Sequence, residues 1–470
     1  MKCWVLAIRS FRSRCFLYIV TVLFIIYLFK VFQSKKSLNF KSIFYNFPFL
    51  DGSRFFFRHS HGNKSKFIPG KFLRTLTPSN ESYCSFRLGF PDFFDLSDSE
   101  IDLSPELGEQ GSYRVIYNVL QGTWIKNQTN NITYCSHLTP DFLYYLVEIV
   151  IRWEGPISIA AFVPSYDASI TLCLLQRLCF CVPEMSKVSL HFVFPLEYPP
   201  DHLACDSVLS IPPGCAIPNI ILNKRLITFR NKEELTYPVN VARNVARISA
   251  NTKFVLVSDI ELIPSKNLVS RFHKMVPKLH LKINSGKTFM RRLVYVLPVF
   301  EIEDYISNIP EKKSELLDLY SQNKAIYFHR WICLHCQRFP GLQRWIHQTS
   351  YATDNSIQPM LVVRREFPYH RWEPIYIGTN QEPLYSELLS WEGKQDKMIQ
   401  MHEMCLLGYH FVILDGAFLV HAPGIKRRSG TSRDTSDVQT AYHYNNMRHY
   451  DEIMRRVTQQ LGSKQGCKTH

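Results

Sequence analysis

Residues 254–261 read Phe-Val-Leu-Val-Ser-Asp-Ile-Glu. The first four are apolar and predict a short buried strand, and Asp259 and Glu261 stand just past its end. In an extended segment residues i and i+2 point to one side, so the two carboxylates would converge on one point. Oxygen ligands placed this way suit a hard divalent cation such as Mn²⁺ or Mg²⁺, able to bridge a diphosphate and neutralise a leaving group. An Asp-x-Glu by itself is more commonly a solvated turn or a helix cap, so its surroundings decide.

Just upstream, Tyr237–Ser249 (YPVNVARNVARIS) places Val241, Val245 and Ile248 at helical spacing, with Pro238 near the start. Further back, Ile157–Val163 follows Gly155-Pro156 as a buried strand. Asp167–Leu178 reads as a helix with Asp167 as N-cap, and Val188–Phe194 alternates as a strand. Downstream, Leu293–Val299, Phe411–Leu414 and Phe418–His421 read as strands and Lys397–Leu407 as a helix. The pattern starts near Tyr113 and shows no internal repeat. Alternation of this kind predicts an α/β domain with helices on both faces of a sheet and a ligand site at the strands' carboxyl ends.

Ahead of this domain, Cys15–Phe32 is an apolar run broken only by Lys30, long enough for a thin bilayer. No small-residue cleavage site follows, so it predicts a signal anchor. The expected layout is a cytoplasmic tail (1–14), a transmembrane anchor (15–32), a stem (33–83) and a lumenal catalytic domain (84–470). Sequons at Asn63, Asn80, Asn127 and Asn131 cluster after the anchor and favour a lumenal address. Eleven of the 13 cysteines also follow it. In an oxidising lumen several should pair, and an odd number leaves at least one free or paired between chains. Cys333-Leu-His-Cys336 has no second CxxC at zinc spacing and reads as a structural pair.

The net charge is +15, and seven of those charges fall in residues 1–36. The mild remainder suits an enzyme of nucleotide diphosphates or acidic sugars. No basic run interleaved with aromatics is present, which excludes a nucleic-acid partner. His402-Glu403 begins like a zinc-protease motif, but no second histidine follows at the required spacing.

Several segments taken together resemble glycosyltransferase family 49: YPVNVARNVAR (237–247), LVSDIELIPS (256–265), RWEGPISIAAFVPS (152–165), VYVLPVFEI (294–302), WEPIYIG (372–378) and EMCLLGYHFVILDGAFLVHAPGIKR (403–427). The similarity spans about 113–430, and the family includes a β-1,4-glucuronyltransferase and a xylosyl/glucuronyltransferase. The resemblance implies a GT-A fold with a Rossmann-like central sheet, a UDP-sugar donor, Mn²⁺ and inversion at the anomeric carbon. The family's Asp-x-Asp falls on Asp259 and Glu261, one methylene longer at the second acid. Its late Leu-Val-His falls on Leu419, Val420 and His421, whose imidazole would complete the metal site.

Other positions are expectations of the same kind. Arg243 and Arg247 share a helix face and, with Asn244, would meet uridine or diphosphate; a solvated basic face is the alternative. Trp372 and Glu373 would line the acceptor cleft, or form a core tryptophan beside a paired acid. Asp396 would be the acceptor-facing base, with Glu301, Glu373 and Glu403 as rivals. The family's glycine in that region is displaced here, at Gly393.

The expected protein is a single-pass type II Golgi membrane enzyme. It would transfer a sugar, glucuronic acid by resemblance, to a glycoprotein glycan such as an O-mannosyl glycan, alone, as a homodimer or with other glycosyltransferases. A UDP-GlcNAc-dependent β-1,3-N-acetylglucosaminyltransferase and a catalytically silent glycan-binding scaffold are the alternatives.

Overall fold

The computed structural model describes residues 67–91, 112–123, 131–285, 292–347, 354–390, 395–427 and 437–468. The tail and anchor, Asn63, Asn127 and Gly393 lie outside them. Among the described residues no helix is long and apolar enough to cross a membrane.

The strands are β1 (Ser85–Phe86), β2 (Tyr113–Gln121), β3 (Ile132–Leu138), β4 (Ile157–Phe162), β5 (Val188–Pro195), β6 (Phe254–Val257), β7 (Leu262–Pro264), β8 (Leu293–Leu297), β9 (Val299–Ile302), β10 (Ala325–Tyr327), β11 (Gln358–Val363), β12 (Ile375–Gly378), β13 (His410–Asp415) and β14 (Leu419–His421). The longer helices are α1 (Tyr145–Arg152), α2 (Asp167–Cys181), α3 (Val239–Ile248), α4 (Leu268–Ser285), α5 (Lys313–Ser321), α6 (Met398–Leu406) and α7 (Asp437–Leu461). The protein is thus a mixed α/β fold with a large central sheet.

Strand alternation sorts side chains between two cores. Tyr134, Ile159, Phe192 and Leu256 enter the core shared with α1 and α2. Their neighbours Cys135, Ala160, Val193 and Val255 enter a core with Val241 and Val245 of α3. A strand buried on both faces carries apolar residues at every position, which is why β4 reads as an unbroken run. Gly155 brings the chain into β4 at close range: a Cβ there would sit 2.4 Å from the Ile132 carbonyl oxygen.

The ten-stranded sheet runs β1-β2-β5-β4-β3-β6-β12-β8-β13-β11, and β10-β9-β14-β7 form a smaller sheet. Strands β5, β4, β3 and β6 are parallel, and β12 lies antiparallel between β6 and β8. The chain moves from β3 outward through β4 to β5, then returns to place β6 on the other side of β3. This reversal is the topological switch point at which open α/β sheets bind ligands in a crevice past the strands' carboxyl ends, here those of β3 and β6.

Four local expectations need correction. Residues 67–83, assigned to the stem, pack on the domain: Leu73 is fully buried, and Tyr83 N–H donates to the Cys179 carbonyl at 2.8 Å. Asp167 does not cap its own helix; its carboxylate accepts the amides of Phe229 (2.6 Å) and Arg230 (3.1 Å). Ile248 is 52% exposed, because α3 is buried along Val239–Arg247 and ends there. The stretch Leu293–Val299 is two strands, separated at Pro298.

Disulfides join Cys84–Cys179, Cys173–Cys205, Cys181–Cys215, Cys333–Cys336 and Cys405–Cys467. Among the described residues Cys135 is the free cysteine, and it is buried.

Candidate active site

At the crevice the chain leaves β6 through Ser258 and turns, with Leu262 N–H closing on the Asp259 carbonyl at 2.9 Å. Tyr134, from β3, props this turn by donating its hydroxyl to the Leu262 carbonyl at 2.7 Å. Asp259 and Glu261 are therefore in a turn, not the extended segment expected, and they acquire separate partners.

Asp259 faces cations. Its Oδ1 lies 3.0 Å from Arg243 Nη2 and 3.4 Å from His137 Nε2, and its Oδ2 lies 3.4 Å from Lys397 Nζ. Burial works against its charge, but Lys397, Arg243 and His137 hold the carboxyl well below the ordinary range. Burial pushes His137 below the usual imidazole range, with Arg243 and Lys397 adding to that against the pull of Asp259. His137 Nδ1 is 2.7 Å from the Tyr237 hydroxyl, which fixes the ring.

Glu261 faces His421. Antiparallel pairing of β7 with β14 sets Leu262 opposite His421, and Ala422 N–H donates to the Glu261 carbonyl at 2.8 Å. The two side chains meet with Nε2 and Oε2 3.5 Å apart. His421 Nδ1 lies 2.8 Å from the Ala422 carbonyl, a partner that only an N–H can satisfy. Nε2 is left toward the carboxylate, and the Phe328 ring stacks on the imidazole at 5.3 Å. Burial pushes Glu261 upward, but His421 and Lys426 bring it below its ordinary value.

Lys397 and Glu373 complete the rim. Burial works against the Lys397 ammonium, yet Asp259, Asp396 and Glu373 keep its proton above the usual lysine range. Glu373 stands just before β12, whose antiparallel pairing brings that end beside the end of β6. Burial lifts its carboxyl to about 7, with Lys397 opposing and Asp396 reinforcing the shift. Among the described residues no side chain hydrogen-bonds that carboxylate.

The other expected site residues are placed differently. Arg243, Asn244 and Arg247 are 1–2% exposed and fully engaged. Arg243 bridges Asp259 and Asp396 and bonds the Asn240 side chain at 3.0 Å. Asn244 exchanges two hydrogen bonds with the Tyr385 backbone, at 2.9 and 3.0 Å. Arg247 holds the carbonyls of Pro383 (2.8 Å) and Glu382 (2.6 Å). The row thus pins the loop after β12 and presents no free donor to a nucleotide. Asp396 is ion-paired to Arg243, and this charge with that of Lys397 outweighs burial and holds its carboxyl below the ordinary range, unsuited to a base. Trp372 is 1% exposed against Phe411, a core residue. Glu301 is fully buried and accepts the His329 amide at 3.2 Å, and Glu403 shares a surface pocket with Ile453 and Arg456. Asn80 is exposed, whereas Asn131 is half-buried and accepts the Ile132 amide.

Sequence reasoning missed His137, Lys397 and His329. His137 lies one residue before the end of β3, in a strand with no distinguishing pattern. Lys397 was visible as the start of a helix and as the basic half of the Asp396-Lys397 pair, without a role of its own, and His329 depends on a loop returning from β10.

Among the described residues no group of three or more His, Cys, Asp or Glu side chains is arranged to hold a metal. Glu261 with His421 is the pair whose chemistry fits a divalent cation, an oxygen and a nitrogen donor facing each other with the tautomer set. A cavity of about 980 Å³ lined by Phe67, Phe72, Glu148, Arg152, Glu311 and Asp318 includes none of these residues.

The model of the family described as "Glycosyl-transferase for dystroglycan" matches residues 131–461, which takes in every element around the crevice. The chain belongs to this family. It is a glycosyltransferase, acting on a sugar donor and a glycan acceptor. Beta-1,4-glucuronyltransferase 1 of Danio rerio is 29% identical over 330 residues, covering 66% of this chain and 72% of that protein. The Homo sapiens protein of the same name is 29% identical over 329 residues, covering 67% and 72%. Xylosyl- and glucuronyltransferase LARGE1 of Danio rerio is 25% identical over 298 residues, covering 62% of this chain and 31% of that protein.

Proposed function

We propose that this family member is a GT-A-type, inverting transferase of glucuronic acid from UDP-glucuronic acid to a glycoprotein glycan. It would work in the Golgi lumen as a type II membrane protein, with the catalytic domain after an N-terminal anchor and stem. The observation that carries the reading is Glu373, just before β12 and level with the carboxyl end of β6, within electrostatic reach of Lys397 and Asp396. There a group able to take a proton stands next to fixed positive charge. The names of the relatives support the donor and a glycan acceptor of the dystroglycan type.

In this mechanism Glu373 accepts the acceptor hydroxyl's proton as that oxygen bonds to the anomeric carbon. The carbon's bond to the phosphate oxygen breaks, and its electron pair leaves with UDP from the opposite face, which inverts the centre. A carboxyl titrating near neutrality is suited to this work, since it is both partly ionised and basic enough to take the proton. Lys397 supplies fixed charge toward the leaving diphosphate, with no reorganisation needed during reaction. Glu261 and His421, with Asp259 beside them, would hold Mn²⁺ or Mg²⁺. When bound, the ion neutralises charge on the diphosphate. Asp396 orients Arg243, which in turn orients Asp259.

The test uses the detergent-purified full chain, UDP-glucuronic acid, UDP-GlcNAc and other UDP-sugars, with Mn²⁺ or with EDTA. Metal-dependent UDP release with UDP-glucuronic acid, lost in Asp259→Ala, is the expected result. Release with UDP-GlcNAc alone would move the donor assignment to the N-acetylglucosaminyl alternative. No release and no UDP binding by folded protein would make the chain a silent scaffold.

A further inference from the structure

Residues 328–336 form a loop after β10 whose two ends are held by the candidate active site. At one end the Phe328 ring stacks on His421 at 5.3 Å and on His329 at 3.8 Å, and His329 N–H donates to buried Glu301. At the other end the Cys336 carbonyl accepts the backbone N–H of Glu373 at 2.7 Å. The loop therefore spans from the Glu261–His421 pair to the proposed base, and the Cys333–Cys336 disulfide closes it on itself.

Between these anchors the loop displays apolar side chains. Trp331 is 48% exposed, Leu334 46% and Ile332 36%. Trp153, Trp345 and Trp372 are each 1% exposed or less, so Trp331 alone among the described tryptophans stays at the surface. Leaving such a ring in water forgoes the stabilisation that its burial would give, so its display with Ile332 and Leu334 at a site's edge calls for an occupant. Trp331 stands two residues past His329, which limits it to about 7 Å of chain from the site. The Arg330 guanidinium lies over the Trp331 ring, 4.8 Å from its centroid, which stiffens the ring, covers one of its faces and keeps hydrogen-bond donors next to it.

We propose that Trp331 and Arg330 form the acceptor subsite. The indole would stack against the C–H face of an acceptor pyranoside while Arg330 bonds its hydroxyl or acidic groups. A pyranose has one largely apolar face and a polar rim, and this ring-and-fork pair matches both. The loop's link to Glu373 couples sugar placement to the base that deprotonates the acceptor hydroxyl. This assignment rests on the transferase reading given under Proposed function.

The test measures initial rates of the full chain with UDP-glucuronic acid, Mn²⁺ and 4-nitrophenyl β-xyloside, β-galactoside and β-glucoside as acceptors. Trp331→Ala is expected to raise the acceptor KM about tenfold, with less than about a twofold change in donor KM. Trp331→Leu should repeat the loss, and Trp331→Phe should restore most of the acceptor KM because it keeps a ring face. An unchanged acceptor KM in Trp331→Ala and Trp331→Leu overturns the proposal. The same assay is run with a glycopeptide acceptor, and a loss seen only there also overturns the proposal, assigning the loop to peptide binding. If no donor supports turnover, the transferase reading fails separately. Saturation-transfer NMR with the same glycosides then decides. A transfer signal that disappears in Trp331→Ala supports the subsite, and a signal that is absent from the parent protein or unchanged in the variant overturns it.

Discussion

His421 Nε2 lies 3.5 Å from Glu261 Oε2, while Nδ1 is committed to the Ala422 carbonyl at 2.8 Å. His421 lies in β14, and Glu261 lies in the turn just before β7, which the Ala422 N–H ties to β14 by donating to the Glu261 carbonyl at 2.8 Å. Glu261→Ala and His421→Ala are each expected to weaken Mn²⁺ binding in the presence of UDP by about 10- to 100-fold. Glu261→Asp, which shortens the reach but keeps the carboxylate, should retain most of it. Calorimetric titration of Mn²⁺ measures this without turnover.

Glu373 supplies the pH dependence. With its carboxyl at about 7, activity should rise with pH through that value and flatten above it, because only the ionised form accepts a proton. Glu373→Gln should lower kcat by about 10²- to 10⁴-fold and abolish this limb. Stability runs the other way. The folded state binds the proton more tightly than the unfolded chain, so this residue's contribution falls as pH rises from the ordinary carboxylate range through about 7. A kcat profile and thermal unfolding across the same pH range test both signs.

Arg243 is a buried cation shared by Asp259 and Asp396. Removing it leaves two buried carboxylates facing each other, so Arg243→Ala should cost about 3–5 kcal/mol of stability. Arg243→Lys should recover only part of this, because an ammonium lacks the planar fork that reaches both acids. Denaturant unfolding of both variants gives the comparison.

The lumenal assignment has a direct chemical mark. Asn80 is exposed and lies in an Asn-Glu-Ser sequon. A mass shift on peptide-N-glycosidase treatment should shrink in Asn80→Gln. Asn131 should carry little glycan, because its side chain is half-buried and bonded to the Ile132 amide.

The central strands were legible because burial on both faces leaves unbroken apolar runs such as ISIAAF and FVLV. The pairing of Asp259, Glu261 and His421 with one end of the sheet was legible only as segments in a familiar order. Spacing could not separate the partners of Asp259 from those of Glu261, because a turn at 259–262 replaces the extended geometry. It also could not show that the polar row Arg243, Asn244 and Arg247 faces inward. Such a row looks the same whether it meets a ligand or the carbonyls of a loop 130 or more residues away. The demotion of Asp396 and the promotion of Glu373 depend on a single ion pair and on antiparallel insertion of β12, both long-range facts. The loop bearing His329 and Trp331 carries no periodic signal.

The burial of Cys135 bears on how the other ten cysteines of the described residues reach their partners. Thiol–disulfide exchange needs a thiolate with access to a sulfur, and burial pushes the Cys135 thiol far above its ordinary range, with Arg247 only partly opposing. Once β3 is enclosed between β4 and β6, the odd thiol can neither attack a finished bridge nor be captured by a wrong one. Sheet closure thereby locks the bridge pattern, and reshuffling belongs only to the interval before the central strands assemble.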